Sequence, residues 1–263
     1  TVEVTATANT DYSFTNWTGD FEGSSNPVTL TMLTDQTLTA NFEFQDADGD
    51  GVGDSVDECP ETAIGTEVGE DGCFLPIVSD NVYLDSNGIT IKATEDAILG
   101  EYYLVNEIIY QVVDSAMLYQ MVAEEEDVSK LVTSKVTNMD SLFYEARSFN
   151  QDISSWDVSN VTNMNSMFNR AESFNQNLSS WDVSKVTNMI YMFSVAKAFN
   201  QDISSWDVSN VTNMKYMFYY ASAFNQDISS WSVSNVTACE NFSINTTAWT
   251  EPKPNFTNCL SGE

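Results

Sequence analysis

Five aspartates crowd twelve residues of the segment DADGDGVGDSVDECP at 46–60: Asp46, Asp48, Asp50, Asp54 and Asp57. At that spacing their mutual repulsion opposes a compact loop unless a cation neutralises it. Calcium suits the pattern, because it takes about six to eight hard oxygen ligands, and one loop can supply them from positions 1, 3, 5, 7, 9 and 12 with Gly at position 6. Counted from Asp46, those places hold Asp46, Asp48, Asp50, the Val52 carbonyl, Asp54 and Asp57, with Gly51 at the turn. Magnesium fits less well, since it prefers fewer protein ligands and tighter octahedral geometry. The expected cofactor is therefore Ca2+; the competing reading is an acidic, unstructured linker.

Elsewhere the composition removes more chemistry than it suggests. Histidine is absent from all 263 residues, which takes away the usual general base near neutral pH and the usual zinc ligand. A non-enzymatic chain is expected, with no catalytic residue assigned. With 39 acidic against 9 basic side chains and a formal charge of -30, the chain repels nucleic acid and anionic lipid, both of which are bound through Lys and Arg. No apolar run approaches the roughly 18 residues that a membrane span requires, so membrane insertion is not expected. The 42% of hydrophobic residues is nevertheless enough for real cores. Four cysteines, Cys59, Cys73, Cys239 and Cys259, point to disulfides and an extracellular setting, although four allow three pairings. The chain opens at Thr1 on an alternating TVEVTATA and reads as part of a longer polypeptide.

The elements that carry these residues are of two kinds. Residues 1–44 predict a small all-β unit: Val2, Val4 and Ala6 alternate, Tyr12, Phe14 and Trp17 follow, and Val28, Leu30, Met32 and then Leu38, Ala40, Phe42 form two more strands. Residues 45–75 form the acidic linker. Residues 76–122 predict a β segment followed by a helix with Met117, Leu118, Met121 and Val122 at helical spacing, capped by Asp114 or Ser115. From 123 to 249 a solenoid is expected, and residues 250–263 form its closing tail.

The solenoid rests on a repeat. FNQDISSWDVSNVTNM occupies residues 149–164 and returns unchanged at 199–214, with close copies at 174–189 and 224–239, a 25-residue period. Such units cannot bury an apolar face alone and must stack on one another. The opening Ile-x-x-Trp-x-Val predicts a short strand, and Met164, Met167, Phe168 and Ala171 predict a helix after Thr162. The expected fold class is thus multidomain: a small all-β unit, a calcium-binding linker, and an α/β leucine-rich-repeat-like solenoid with one strand and one helix per coil.

Trp156, Trp181, Trp206 and Trp231 then form a buried ladder, and Asn150, Asn175, Asn200 and Asn225 hydrogen-bond turn backbone between coils. Recognition falls to what points outward. Asp157, Asp182 and Asp207 alternate with inward residues and are expected to line one strand face about 4.8 Å apart. On the helical side Tyr191 and Tyr216, with Tyr219 and Tyr220, cluster without being required by the repeat. A Cys239–Cys259 bridge would pin the tail over the last coil.

Three resemblances follow from these motifs. YSFTNWTGDFEGSSNPVTLTMLTDQTLTANFE resembles the C-terminal part of the Listeria-Bacteroides-type bacterial surface repeat, with the first strands missing. The spaced aspartates followed by Cys59 and Pro60 resemble a thrombospondin type 3 repeat; the Gly72-Cys73 pair continues that pattern, which implies a Cys59–Cys73 bridge. An EF-hand is a poorer match, having Glu where Asp57 stands. Residues 111–249 resemble the BspA-like leucine-rich-repeat surface proteins through FN-x-D-I-S-x-W-D-V-S-x-V-T-x-M and the Met-Phe that follows. Together they imply a non-enzymatic module on the bacterial cell surface or secreted, with the type IX pathway as the export route of similar proteins, adhesive or structural, with an extracellular protein or glycan as partner. Self-association into an extracellular appendage and a soluble glycan- or peptide-binding module are the alternatives.

Overall fold

The computed structural model describes residues 1–62 and 68–259, in two compact units, Thr1–Leu75 and Pro76–Glu263. In the first, β1 (Val2–Val4) pairs antiparallel with β3 (Val28–Leu30), and β2 (Tyr12–Gly19) with β4 (Leu38–Phe44). Alternation turns Trp17, Val28 and Leu30 into a small buried core, with Phe14, Phe21, Leu38 and Ala40 packed against it. The Trp17 indole N–H, which would be costly to bury unpaired, donates to the Ser25 carbonyl at 2.9 Å. Cys59 and Cys73 form a disulfide in this unit.

The second unit opens with a hairpin of β5 (Val82–Leu84) and β6 (Ile91–Ala93). A sheet follows in which β8 (Ile108–Val112) lies between antiparallel β7 (Tyr102–Val105) and parallel β9 (Leu131–Val132). Between β8 and β9 runs α1 (Ser115–Ala123), whose N-cap Asp114 accepts from the Met117 N–H at 2.9 Å. It is the one helix among the described residues, and none there is long and apolar enough to cross a membrane.

From Val136 onward the chain is a series of turns stacked at the 25-residue period. Single parallel bridges join Asn138 to Asn163, Asn163 to Asn188, Asn188 to Asn213 and Asn213 to Ala238. One continuous core runs through the coils, with Trp156, Met164, Phe168 and Phe174 and their equivalents buried. Rings repeat on rings. Phe143, Phe168, Phe193 and Phe218 stack at 5.5, 5.5 and 5.6 Å between centroids, and Phe149, Phe174, Phe199 and Phe224 at 5.8, 6.0 and 5.9 Å. Each tryptophan indole donates to a carbonyl of the preceding coil, Trp206 to Leu178 at 2.9 Å for example. The asparagine side chains also bridge coils: Asn175 Oδ1 accepts from the Asn200 N–H and Asn200 Oδ1 from that of Asn225. Cys239 and Cys259 are disulfide-bonded.

The strand and helix expected in every coil do not form. Residues 153–158 are a turn and irregular chain, and residues 165–170 are turns. The reason lies in where the N–H groups go. In a helix each bonds the carbonyl four residues back, but here alternate groups leave the coil: Met164, Ser166, Phe168 and Arg170 donate to Asn188, Ile190, Met192 and Ser194 of the next. Between them Met167 and Asn169 close four-residue turns on the Met164 and Ser166 carbonyls. Ser166 and Arg170 adopt left-handed φ of 55° and 65°, and their equivalents do likewise, which interrupts any helix. Two turns in series bring Met164, Met167, Phe168 and Ala171 to the same side, so the spacing that suggests a helix is satisfied without one.

Candidate functional sites in the acidic loop and on the outer coil faces

The acidic loop is ordered by its own side chains. Short polar residues that accept from the N–H two or three positions on form Asx turns, and here Asp46 accepts from Gly49 at 2.8 Å and Gly51 at 3.0 Å, Asp48 from Asp50 at 3.3 Å, and Asp50 from Val52 at 2.7 Å. Gly49 and Gly51 take φ of 79° and 99°, which suits glycine best. Asp46, Asp48 and Asp50 each offer a carboxylate oxygen, all within 4.8 Å of one another. Twice a calcium–oxygen distance of about 2.4 Å spans that separation, so one ion could touch all three. The Asp50 Oδ2 atom is buried with no hydrogen-bond partner. A buried anionic oxygen left alone is costly, and a hard cation would satisfy it. All the donors are oxygens, which fits calcium.

Asp54 and Asp57, expected as further ligands, are engaged with backbone. Asp54 accepts from the Ala47 N–H and Asp57 from the Cys59 N–H, both at 2.7 Å, and neither joins the cluster. Two braces were not anticipated from sequence. Thr62 N–H donates to Asp48 Oδ2 at 2.7 Å, and Asp11 in the turn before β2 accepts from the Ser55 N–H at 2.9 Å. The signal for Asp11 is Gly53: a side chain there would collide with the Asp11 carboxylate.

On the coils, the three aspartates are not equivalent. Each accepts from the N–H of a serine two residues on, Asp157 from Ser159, Asp182 from Ser184 and Asp207 from Ser209. They are turn formers, and the Ser209 contacts hold the Asp207 carboxyl below the usual carboxylate range. Asp182 and Asp207 are exposed, whereas Asp157 is only 5% exposed. The β6 edge covers it: Ile91 N–H donates to the Ser155 carbonyl at 2.8 Å, Ala93 N–H to Ser134 Oγ, and Ser134 Oγ in turn to Asp157 Oδ2. Asp157 thus belongs to the junction of hairpin and first coils, and the expected three-rung strand face reduces to two outward carboxylates on turns.

The tyrosines do gather. Tyr191 and Tyr216 stack at 4.7 Å with planes 10° apart, Tyr219 meets Tyr216 edge-on at 5.5 Å, and Tyr220 meets Tyr219 at 4.5 Å. Tyr220 is 45% exposed. Partial desolvation, then the neighbouring phenols, push the Tyr219 hydroxyl up from its ordinary value. The arrangement is a half-buried aromatic ridge with hydroxyl tips, suited to stacking and hydrogen bonding at once.

A protein family described as "Mycoplasma protein of unknown function, DUF285" matches residues 113–204 and again 159–256, more than half the chain together. A "Divergent InlB B-repeat domain" matches residues 1–46. Neither the curated proteins nor the solved structures gave a match.

Proposed function

We propose, from the premise that the chain belongs to the family described as Mycoplasma protein of unknown function, DUF285, that it is a non-enzymatic adhesion or structural module of a bacterial surface or secreted protein. Two surface-repeat families in one chain and two disulfides support an extracellular setting. The Listeria-Bacteroides-type, thrombospondin-like and leucine-rich-repeat-like assignments, and type IX export, are finer readings of the same sequence.

The observation that carries the binding role is the aromatic ridge. Inside the coils every large side chain is committed to the stack, while Tyr191, Tyr216, Tyr219 and Tyr220 meet solvent beside one another. Asp182 and Asp207 provide outward carboxylates on turns of the same coils. The partner is an extracellular glycan or protein that stacks on the ridge and hydrogen-bonds its phenols. A glycan and matrix-protein array probed with the whole chain tests this. Binding that Tyr216→Ala and Tyr220→Ala remove supports the reading; binding indifferent to both rejects the ridge. Concentration-dependent sedimentation abolished by the same changes would instead favour self-assembly.

The acidic loop is read as a calcium-stiffened joint. Asp46, Asp48 and Asp50 would hold the ion, and the Val52 carbonyl, Asp54 and Asp57 are the further oxygens that the loop offers. The ion would supply charge neutralisation, and the residues would supply a fixed turn.

A further inference from the structure

The aromatic ladder has an open end. Phe174, Phe199 and Phe224 are fully buried, but Phe149, the first rung, is only partly so. Phe143 of the same coil stacks on its ring at 3.8 Å, and Phe174 of the next coil continues the ladder in offset, parallel fashion at 5.8 Å. Beyond it is a cleft of about 510 Å³ lined by the apolar Val122, Val128, Phe143 and Phe149 with Glu125 and Glu126. That volume lies within the range of about 300–1,000 Å³ usual for ligand pockets. Twenty-five residues before Phe149 stands Glu124, exposed, where the next four coils have phenylalanine and the last has Trp249. The cleft is the place of one further ring.

Its wall is fixed in advance. Gln151 Oε1 accepts from the Val128 N–H at 2.7 Å and its Nε2 donates to the Glu126 carbonyl at 2.9 Å, holding the segment against the first full coil. Later coils use the same glutamine device, as Gln201 does on the Asn175 carbonyl. Among the described residues neither Glu125 nor Glu126 forms an ion pair, and both line the cleft within the acidic run Glu124 to Asp127.

We infer that this cleft binds an aromatic side chain flanked by a basic residue, presented by an extracellular polypeptide: the ring takes the missing rung on Phe149 and the cation meets Glu125 and Glu126. The site is separate from the tyrosine ridge and does not depend on it. Offset stacking rewards a ring over an aliphatic group, and two unpaired carboxylates on a strongly anionic chain attract a cation and repel an acidic peptide.

The probe is the acetylated, amidated tripeptide Arg-Phe-Arg, titrated into the whole chain by calorimetry at low salt, with Arg-Ala-Arg and Glu-Phe-Glu as controls. The ring should be worth about tenfold in Kd over Arg-Ala-Arg, and Glu-Phe-Glu should bind at least that much more weakly. The double change E125Q/E126Q, both exposed positions, should weaken Arg-Phe-Arg by about three- to tenfold and flatten its salt dependence. Ala123→Trp, at the mouth, should abolish binding with the unfolding midpoint unchanged, while Tyr220→Ala leaves it intact. Equal affinity for Arg-Phe-Arg and Arg-Ala-Arg would overturn the proposal. So would indifference to both the carboxylate and mouth variants, absence of saturable binding, or sedimentation showing that a second copy of the chain covers the cleft.

Discussion

The acidic loop and the coil stack achieve order by opposite means, and the contrast shows what each could tolerate. In the loop, residues 46–62, aspartates fold the backbone by accepting its N–H groups, and a disulfide closes the segment. Its charges are a liability that a bound cation would remove. In the stack, an unbroken apolar column fills the interior, and polar side chains form turns within a coil or tie one coil to the next. The loop is therefore open to control by solution conditions, and the stack is not. A stack of this kind is a scaffold, and whatever it recognises must be mounted on its outside or at its ends.

The sharpest break of the comparison is at the column's centre. Trp206 is 3% exposed, its indole faces Trp231 at 6.3 Å, and its N–H satisfies the Leu178 carbonyl. Trp206→Ala should cost about 3–5 kcal/mol in urea unfolding, as other large core truncations do. Trp206→Phe refills much of the volume and removes only the indole bond to that carbonyl, which still accepts from the Trp181 N–H, so it should cost about 0.5–1.5 kcal/mol. Neither change should alter the loop's response to calcium, since the two lie in different compact units.

The next test runs the other way. If the ion sits on Asp46, Asp48 and Asp50, calcium at a hundred times its Kd should stabilise the first unit by about 2.7 kcal/mol. Chelation should then open residues 46–62 to protease and leave the unfolding midpoint of the second unit where it was. Asp50→Asn puts an amide in reach of the Oδ2 position and should erase the calcium effect. Equal digestion with and without calcium, in the wild-type chain, would make the loop a hydrogen-bonded turn and nothing more.

How far the sequence exposed these two regions differs for a physical reason. The repeat displayed the buried set, since Trp156, Val158, Val161, Met164 and Phe168 recur because every coil must present the same apolar surface. It misled on local conformation, because a helix and a pair of successive turns place the same four positions inward. What decides between them is a run of left-handed residues, and these include Val195 at φ 59°, a branched residue that avoids this region when free. The Val195 N–H bond to the Tyr219 carbonyl of the next coil, at 2.7 Å, helps hold it there. Identical repeats also conceal their neighbours. Nothing in the Ser-Trp-Asp-Val motif distinguishes Asp157, buried beneath β6, from Asp207, exposed to water. In the loop the carboxylate trio was readable from spacing, but Asp11, thirty-five residues before Asp46, was not.

A milder perturbation separates apolar stacking from its polar ties. Asn200 Oδ1 accepts from the Asn225 N–H at 2.8 Å and from Gln226 Nε2 at 2.9 Å. Asn200→Ala leaves the rings alone and should lower stability by about 1 kcal/mol. Hydrogen exchange should rise at residue 225 and stay slow at Phe199. Exchange rising equally through the ring positions would mean that the asparagine ladder, and not the column, holds the coils together.

The smallest effect expected concerns the hairpin that covers Asp157. Lys92 on β6 reaches Asp85 at 2.9 Å. The Lys92 ammonium, then the Ser86 N–H, hold the Asp85 carboxyl below its ordinary value of 3.8, and Asp85, aided by nearby Asp157, holds the Lys92 ammonium above 10.5. A depressed acid stabilises the fold above its unfolded pKa and loses that contribution as pH falls through the folded one. For a base with a raised value the contribution is complete below 10.5 and fades as pH climbs past the folded pKa. Asp85→Asn should therefore cost about 0–1 kcal/mol, as partly exposed pairs do, evenly between roughly pH 5 and 10. Wild type and variant should converge once pH has fallen through the folded Asp85 pKa and again at strongly alkaline pH. A gap that persists after the Asp85 carboxyl has protonated in the folded chain would assign the cost to lost packing at the hairpin, and the seal over Asp157 would then owe nothing to charge.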